Sequence, residues 1–149
     1  VWEGSYKYGG RQGVALENRR GDPKMTYPIA EWGQLDPLLQ TQSAAGGLVV
    51  YRGNQIPQLA NLLIFADMPS GELFYVNADR LPSGGQDGIR RILLNDGGTA
   101  KTFLEVVRDK NVAQGKMPAT RADLRMNMGP DNQVFLLNKG DGTIRVLTR

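Results

Sequence analysis

The 149-residue chain contains no cysteine and no histidine. Without cysteine it has no disulfide, no thiolate metal ligand and no cysteine nucleophile. Without histidine it lacks the commonest general base near neutral pH and the commonest zinc ligand. A Ser-His-Asp triad therefore cannot be built from this chain alone.

The sequence also lacks a long apolar run and a strong excess of charge. No stretch approaches the roughly 20 apolar residues of a membrane-spanning helix, and the start shows no secretory hydrophobic segment. The net charge is +3, and the basic residues are scattered rather than gathered in a run with interleaved aromatics. We therefore expect neither a membrane span nor nucleic-acid binding.

The composition that remains is that of a folded domain with many turns. Hydrophobic residues make up 40% of the chain and charged residues 22%, which is typical of globular rather than disordered proteins. The 19 glycines and eight prolines indicate frequent chain reversals.

Short apolar segments separated by turn residues predict antiparallel strands along most of the chain. The predicted strands are 27–32, 47–53, 61–68, 72–78, 89–95, 122–128, 133–139 and 143–149. Asp36 is a candidate cap for a short helix that begins at Pro37. The segment Lys101–Asp109 suits a helix by its apolar spacing and a strand by its adjacent valines; we favour an extended strand or a single turn.

Two parts of the sequence match each other without a gap. Leu63–Leu73 and Val134–Ile144 lie 71 residues apart, and each is an apolar strand ending in Asp or Asn, a turn ending in glycine and a second apolar strand. Such self-similarity indicates a repeat architecture. Repeated antiparallel meanders predict an all-β chain that forms about two four-stranded blades of a β-propeller.

A closed propeller needs at least four blades, so we expect the remaining blades to come from the same parent chain or from another chain. The predicted organisation is a loop-rich lead-in over 1–46, one blade over 47–95, a long loop over 96–120 and a closing blade over 121–149.

The order of several short motifs resembles the glucose/sorbosone dehydrogenase family, the soluble pyrroloquinoline quinone (PQQ)-dependent aldose dehydrogenases and their relatives. In the first predicted blade these motifs are Tyr51-Arg52-Gly53, Ile56-Pro57, Phe65-x-Asp67 and Ser70-Gly71. In the closing blade they are Asp123-Leu124-Arg125, Gly129-x-Asp131 and Lys139-x-Asp141-Gly142. The opening VWEGSYKY is similar to the segment that precedes these blades in the family.

The resemblance implies the C-terminal portion of a six-bladed propeller that holds PQQ and calcium at its central mouth. Family members oxidise the anomeric carbon of a sugar to a lactone, and a histidine from an early blade is the base. Because this chain has no histidine, the missing N-terminal blades have to supply it, and the chain alone is expected to be inactive. A periplasmic or extracellular location follows from the same resemblance.

Many family members carry an Arg-x-Arg pair in the closing blade, just before its first strand, and the corresponding positions here are Ala122 and Leu124. Arg121 and Arg125 lie one residue away on either side. A one-residue shift in a strand turns a side chain to the other face. We take Arg125, Arg121 and Asp123 as the candidate cofactor-binding residues, because arginine suits bidentate contact with a carboxylate or quinone oxygen.

The aromatic residues Trp2, Tyr6 and Trp32 are the candidate substrate-binding residues. Two interpretations remain open for such residues: they cover the edge of the core, or they form a stacking platform for a sugar. An alternative function for the whole chain is a non-catalytic propeller module that binds a glycan or a protein partner. The absent histidine and the shifted arginines favour this alternative.

Overall fold

A computed structural model of the chain describes residues 20–33, 36–39 and 43–149. In these ranges the fold is predominantly β, with antiparallel sheets and one α-helix. The prediction of an all-β architecture is confirmed at this coarse level, and the described sheets do not close into a ring. The strands are β1 Ala45–Tyr51, β2 Leu62–Asp67, β3 Leu73–Asn77, β4 Arg90–Ile92, β5 Leu94–Asp96, β6 Thr99–Lys101, β7 Leu124–Met128, β8 Val134–Asn138 and β9 Thr143–Val146.

The strands form two meanders and one small hairpin. Sheet I has the order β1-β2-β3-β4, and sheet II has the order β7-β8-β9. Strands β5 and β6 pair only with each other in the described part of the chain. Because every pair joins strands that are neighbours in sequence, short turns are sufficient to connect most of them.

The 71-residue repeat of the sequence is also a repeat of turn geometry. The Asp67 carboxylate accepts a hydrogen bond from the backbone N–H three residues later, at 3.0 Å. The Asn138 side-chain oxygen accepts the equivalent bond at 2.8 Å. Gly71 and Gly142 follow with φ values of +72° and +62°, a left-handed conformation that favours glycine. Sheets I and II are therefore built on the same strand-turn-strand unit.

Each sheet has a front face and a back face, which we define by equivalent positions in the repeat. The front face comprises Ile64, Ala66, Leu73 and Tyr75 in sheet I and Phe135, Leu137, Ile144 and Val146 in sheet II. The back face comprises Leu63, Phe65, Phe74 and Val76 in sheet I and Val134, Leu136, Arg145 and Leu147 in sheet II.

The two sheets pack head to tail, with the front face of sheet I against the back face of sheet II. Ile64 and Leu73 from the first face share one buried core with Leu124, Val134 and Leu136 from the second sheet. When the front of one sheet packs on the back of an equivalent sheet, the back of the first sheet and the front of the second remain outside the interface. Here the faces outside the interface are the front of sheet II and the back of sheet I, which the segment before β1 partly covers.

The sheets approach most closely at strands β1 and β7, which are the first strands of their meanders. A Cβ atom on Gly46 would lie 2.5 Å from the Leu124 carbonyl oxygen. A Cβ atom on Gly47 would collide with the Met126 carbonyl oxygen. The N–H groups of Ala122 and Leu124 donate to carbonyl oxygens in the turn after β2, at 2.8 and 3.0 Å. The glycines thus permit a backbone contact between the sheets that a side chain would prevent.

The α-helix of the described part of the chain, α1 Phe103–Ala113, contributes to the same core between the sheets. It begins with a capping box in which Thr102 accepts from the Glu105 N–H and the Glu105 carboxylate accepts from the Thr102 N–H. Phe103, Leu104 and Val107 are buried on one side of it. The prediction of a strand or single turn at Lys101–Asp109 is therefore wrong, and the stretch 96–120 carries β6 and this helix rather than loop alone.

The segment before β1 covers part of the back face of sheet I. Trp32 stacks on Phe65, with ring centroids 5.4 Å apart and planes inclined by 11°, and Leu39 is buried beside them. The strand predicted at Tyr27–Trp32 is absent, because the backbone hydrogen bonds of this segment, from the Gly84 N–H to the Ile29 oxygen and from the Glu31 N–H to the Gly85 oxygen, join it to the loop before β4 and not to a strand. A short 3-10 helix does occur at Pro37–Leu39, as predicted.

Candidate functional site

An open cleft of about 490 Å³ lies at the end of sheet II where β7 begins and the β8–β9 turn reverses the chain. Its lining includes Arg121, Asp123, Arg125, Leu137, Lys139 and Ile144. All three residues predicted from the sequence to bind a cofactor are thus brought together. We call this site the Arg125 cleft.

Strand alternation places Arg125 in the cleft. Its neighbours Leu124 and Met126 point into the core between the sheets, and Arg125 therefore projects from the front face of sheet II. The side chain is exposed, and its Nη1 donates to the adjacent Leu124 carbonyl oxygen at 3.1 Å. Most of the guanidinium donors are consequently available to a ligand.

Arg121 and Asp123 form an ion pair at the edge of the cleft. The Arg121 Nε lies 2.6 Å from Asp123 Oδ1, and both side chains are more than a third exposed. Asp123 has a φ of +47°, a left-handed conformation that is uncommon for residues other than glycine. This backbone turn immediately before β7 brings the two side chains to the same rim.

The cleft has an excess of positive charge. It contains the cations of Arg121, Arg125 and Lys139 and the single carboxylate of Asp123. Among the described residues, only Arg121 of the three cations has an ion-pair partner. The site is therefore suited to a small anionic ligand.

Ala122 and Leu124, the positions that the resemblance aligns with the Arg-x-Arg pair, are fully buried in the core. A long charged side chain at either position would face the packed interior rather than the cleft. In this chain the cleft-facing guanidinium groups come from the flanking positions Arg121 and Arg125 instead. Lys139 lies outside the predicted set, although its position one residue after the repeated Asp/Asn could have identified it as part of the same turn.

The β8–β9 turn that bounds the cleft is held by a buried carboxylate. Asp141 accepts from Arg145 Nη2 at 2.6 Å and from the Thr143 N–H at 3.0 Å, and its side chain is inaccessible to solvent. Burial raises the pKa of the Asp141 carboxyl. The hydrogen bonds from Arg145 and Thr143 and the charges of Arg145 and Lys110 outweigh burial, so that this pKa lies below its ordinary value.

We expect Asp141→Asn to lower the free energy of unfolding by about 2 kcal/mol at pH 7, because it leaves Arg145 without its buried counter-ion. Because the pKa of Asp141 is lower in the folded chain than in the unfolded chain, the ionised carboxylate stabilises the fold at any pH above the unfolded-state pKa. This stabilisation is lost as the pH falls from the unfolded-state pKa through the folded-state pKa. In urea titrations the difference from the wild-type chain should therefore shrink below the ordinary pKa of 3.8. Asp87→Asn, at an exposed aspartate, is the control; equal stability of Asp141→Asn and wild type at pH 7 would contradict this assignment.

Of the three predicted substrate-binding residues, only Trp32 lies in the described part of the chain, and it does not line the Arg125 cleft. Trp2 and Tyr6 lie outside the described residues. Trp32 packs on the back face of sheet I, and its Nε1 donates to Ser43 Oγ at 2.6 Å. Its ring lines a separate pocket of about 170 Å³, whose rim carries Asp36, Gln86, Arg90 and Arg91. We call this the Trp32 pocket.

The described part of the chain offers no cluster of three or more carboxylate or other metal-ligating side chains. None of its helices is long and apolar enough to cross a membrane. Comparison with protein-family models, with curated proteins and with solved structures gave no significant match.

Proposed function

We propose that the chain supplies two consecutive blades of a larger β-propeller of the glucose/sorbosone dehydrogenase type. In this proposal the Arg125 cleft holds the carboxylates of PQQ at the mouth of the propeller. The observation that carries the proposal is the convergence of Arg121, Arg125 and Lys139 on one cleft beside the first strand of sheet II.

The head-to-tail packing of the sheets supports the propeller. A sandwich of two sheets buries one face of each and leaves polar residues outside. Here exposed apolar side chains lie outside the interface, Ile144 and Val146 at the front of sheet II and, beyond the area that the Trp32 segment covers, Leu48 and Val50 at the back of sheet I. Ile144 is 66% exposed and Leu48 64%. Apolar surface of this kind favours a further sheet over the front of sheet II.

The chemistry of the cleft fits one part of the implied cofactor. PQQ held there would supply a two-electron acceptor for the oxidation of the sugar. Its carboxylates match the unpaired donors of Arg125 and Lys139. The described residues do not match calcium, which prefers several oxygen ligands, because they provide no cluster of carboxylates. Calcium and the catalytic base are therefore assigned to other blades.

The proposal is tested by titrating the chain with PQQ and following heat or quenching of protein fluorescence. We expect Arg125→Ala to weaken binding by about tenfold or more, because one charge-assisted contact contributes roughly 1.5–3 kcal/mol. Arg90→Ala, which removes an exposed arginine of β4 outside the cleft, should bind as the wild type does. Equal affinity of Arg125→Ala and wild type, or an equal loss in Arg90→Ala, would overturn the site.

The dehydrogenase activity is tested separately, in the complete propeller. Aldose-dependent dye reduction in the presence of PQQ and calcium is expected there, and no turnover with a range of aldoses would reject the enzyme. The chain by itself is expected to give none, since it contains no histidine.

The Trp32 pocket favours a second candidate function, a non-catalytic module that binds a glycan. Trp32 and Phe74 provide aromatic surface beside Arg90 and Asp36, a combination that suits a sugar ring with its hydroxyl groups. Sugar binding without PQQ that is lost in Arg90→Ala and retained in Arg125→Ala would favour this function. The opposite pattern would favour the cofactor cleft.

A further inference from the structure

The turn between β8 and β9 and the start of β9 carry charged side chains at positions where sheet I has neutral ones. The charged residues of sheet II lie 71 positions after their neutral equivalents: Lys139 after Met68, Asp141 after Ser70 and Arg145 after Phe74. The two turns share the side-chain acceptor at their start and the left-handed glycine at their end. The turn can therefore form without these charges, and they need a reason of their own.

A lysine of α1 meets the charged turn. Lys110, in the last turn of the helix, donates from Nζ to Thr143 Oγ1 and lies 3.7 Å from Asp141 Oδ2. The Thr143 N–H donates to Asp141 Oδ1 at 3.0 Å, and its hydroxyl donates to the Asp141 carbonyl oxygen at 3.2 Å. Thr143 and Asp141 thus tie the C-terminal end of α1 to the turn.

The same turn carries Lys139 into the Arg125 cleft. On its other side the turn is held by Asn138, whose side-chain oxygen accepts from the Asp141 N–H at 2.8 Å. Lys139 lies between Asn138 and Asp141, so that the backbone on both sides of it is fixed. Because a lysine side chain is itself flexible, the backbone of this turn determines where the Lys139 ammonium can reach.

We propose that Lys110 is a positioning residue for the Arg125 cleft. It holds Thr143 and Asp141, fixes the β8–β9 turn and so places Lys139 for contact with an anionic ligand. Lys110 does not line the cleft, and its role is exerted through the turn. The inference rests on the proposed cofactor site.

PQQ titrations of single and double variants test whether Lys110 acts through Lys139. We expect Lys110→Met to weaken PQQ binding by about fivefold, because the members of one hydrogen-bonded network are energetically coupled. Lys139→Met should weaken it by about tenfold, since it removes the charged contact itself. In the Lys139→Met chain, the further change Lys110→Met should alter the affinity by less than roughly twofold. An equal loss in both backgrounds would overturn the proposal.

Two further variants separate the position of the lysine from the charge of the chain. Lys110→Arg keeps a cation that can reach Thr143 and Asp141, and it should bind PQQ within roughly twofold of the wild type. Lys116→Met removes an exposed lysine just beyond the same helix and should not change the affinity. A loss in Lys116→Met as large as that in Lys110→Met would mean that only net charge matters, and would contradict a positioning role.

Amide hydrogen exchange reports on the turn without any ligand. In Lys110→Met the Thr143 N–H should exchange about fivefold faster or more, because the turn loses its link to the helix. The equivalent amide of sheet I, the Glu72 N–H, donates to Ser70 Oγ at 3.3 Å and should keep its exchange rate. Unchanged exchange at Thr143, or equal acceleration at both amides, would refute the positioning role.

The titrations also distinguish this inference from the proposed function on which it rests. If the wild-type chain binds no PQQ, the cofactor site is wrong and the positioning role fails with it. If the wild type binds PQQ and Arg125→Ala weakens binding while Lys110→Met does not, the cofactor site stands and the role of Lys110 alone is wrong.

Discussion

Gly46→Val is expected to lower the free energy of unfolding by about 3 kcal/mol, an effect typical of severe overpacking. A Cβ atom at this position would lie 2.5 Å from the Leu124 carbonyl oxygen and 3.3 Å from the Met68 Cα. Both neighbours are backbone atoms, which cannot move aside as a flexible side chain can. The substitution therefore has to separate β1 from β7, where the two sheets meet.

Urea denaturation of Gly46→Val and of Gly33→Ala provides the comparison. Gly33 is exposed, and a Cβ atom added to it would meet no atom of the described residues within 4 Å. Its replacement should therefore change stability by less than about 0.5 kcal/mol. If Gly46→Val is as stable as Gly33→Ala, the close contact between the sheets does not exist in solution.

Phe103→Ala is expected to lower the free energy of unfolding by about 4 kcal/mol, in the range for loss of a buried aromatic ring. Phe103 is 1% exposed and belongs to the core shared by the two sheets and α1. Its ring also lies beneath the Arg145 guanidinium. Removing it leaves a cavity between the sheets and withdraws a cation–π contact.

Val112→Ala on the same helix is the matched control, because Val112 is 58% exposed. Its effect on the denaturation midpoint should be small, since it creates no cavity. A loss of stability in Phe103→Ala no larger than in Val112→Ala would show that α1 does not pack between the sheets.

The strands of the two meanders could be predicted because local signals and long-range packing agree. Leu62–Asp67 is a continuous apolar run, and the structure buries both sides of it, against sheet II and against the Trp32 segment. The turns after β2 and β8 combine a side-chain acceptor with a glycine. Those two features are visible in sequence and recur 71 residues apart.

The helix was missed because its apolar stripe is narrow. Phe103, Leu104 and Val107 are its buried apolar residues, and the adjacent Val106 and Val107 resemble a strand. The stronger signal was Thr102 with Glu105 three residues later, a capping box that precedes a helix. Likewise, Gly97 and Gly98 form the turn of the β5–β6 hairpin, and a glycine pair of this kind indicates a hairpin where the sequence analysis predicted a loop.

The candidate cleft was only partly predictable. The alternation of side chains along β7 was enough to predict that Arg125 lies on the face turned away from the core. The adjacent Leu124 lies on the other face and is buried. The placement of Asp123 depends on a left-handed backbone, which no hydrophobic pattern reveals. Lys139 enters the cleft through the reversal of the chain after β8, so tertiary structure was needed to find it.

Thiol modification of two single-cysteine variants tests the central claim, that sheet II ends in an open face which a further sheet has to cover. Leu73 and Ile144 occupy equivalent front-face positions, but Leu73 is 1% exposed and Ile144 66%. As the chain has no cysteine of its own, each variant carries one thiol. We predict that Leu73→Cys reacts roughly 100-fold more slowly than Ile144→Cys. Equal protection of both thiols would mean that these 149 residues already cover the front of sheet II, and would contradict the account.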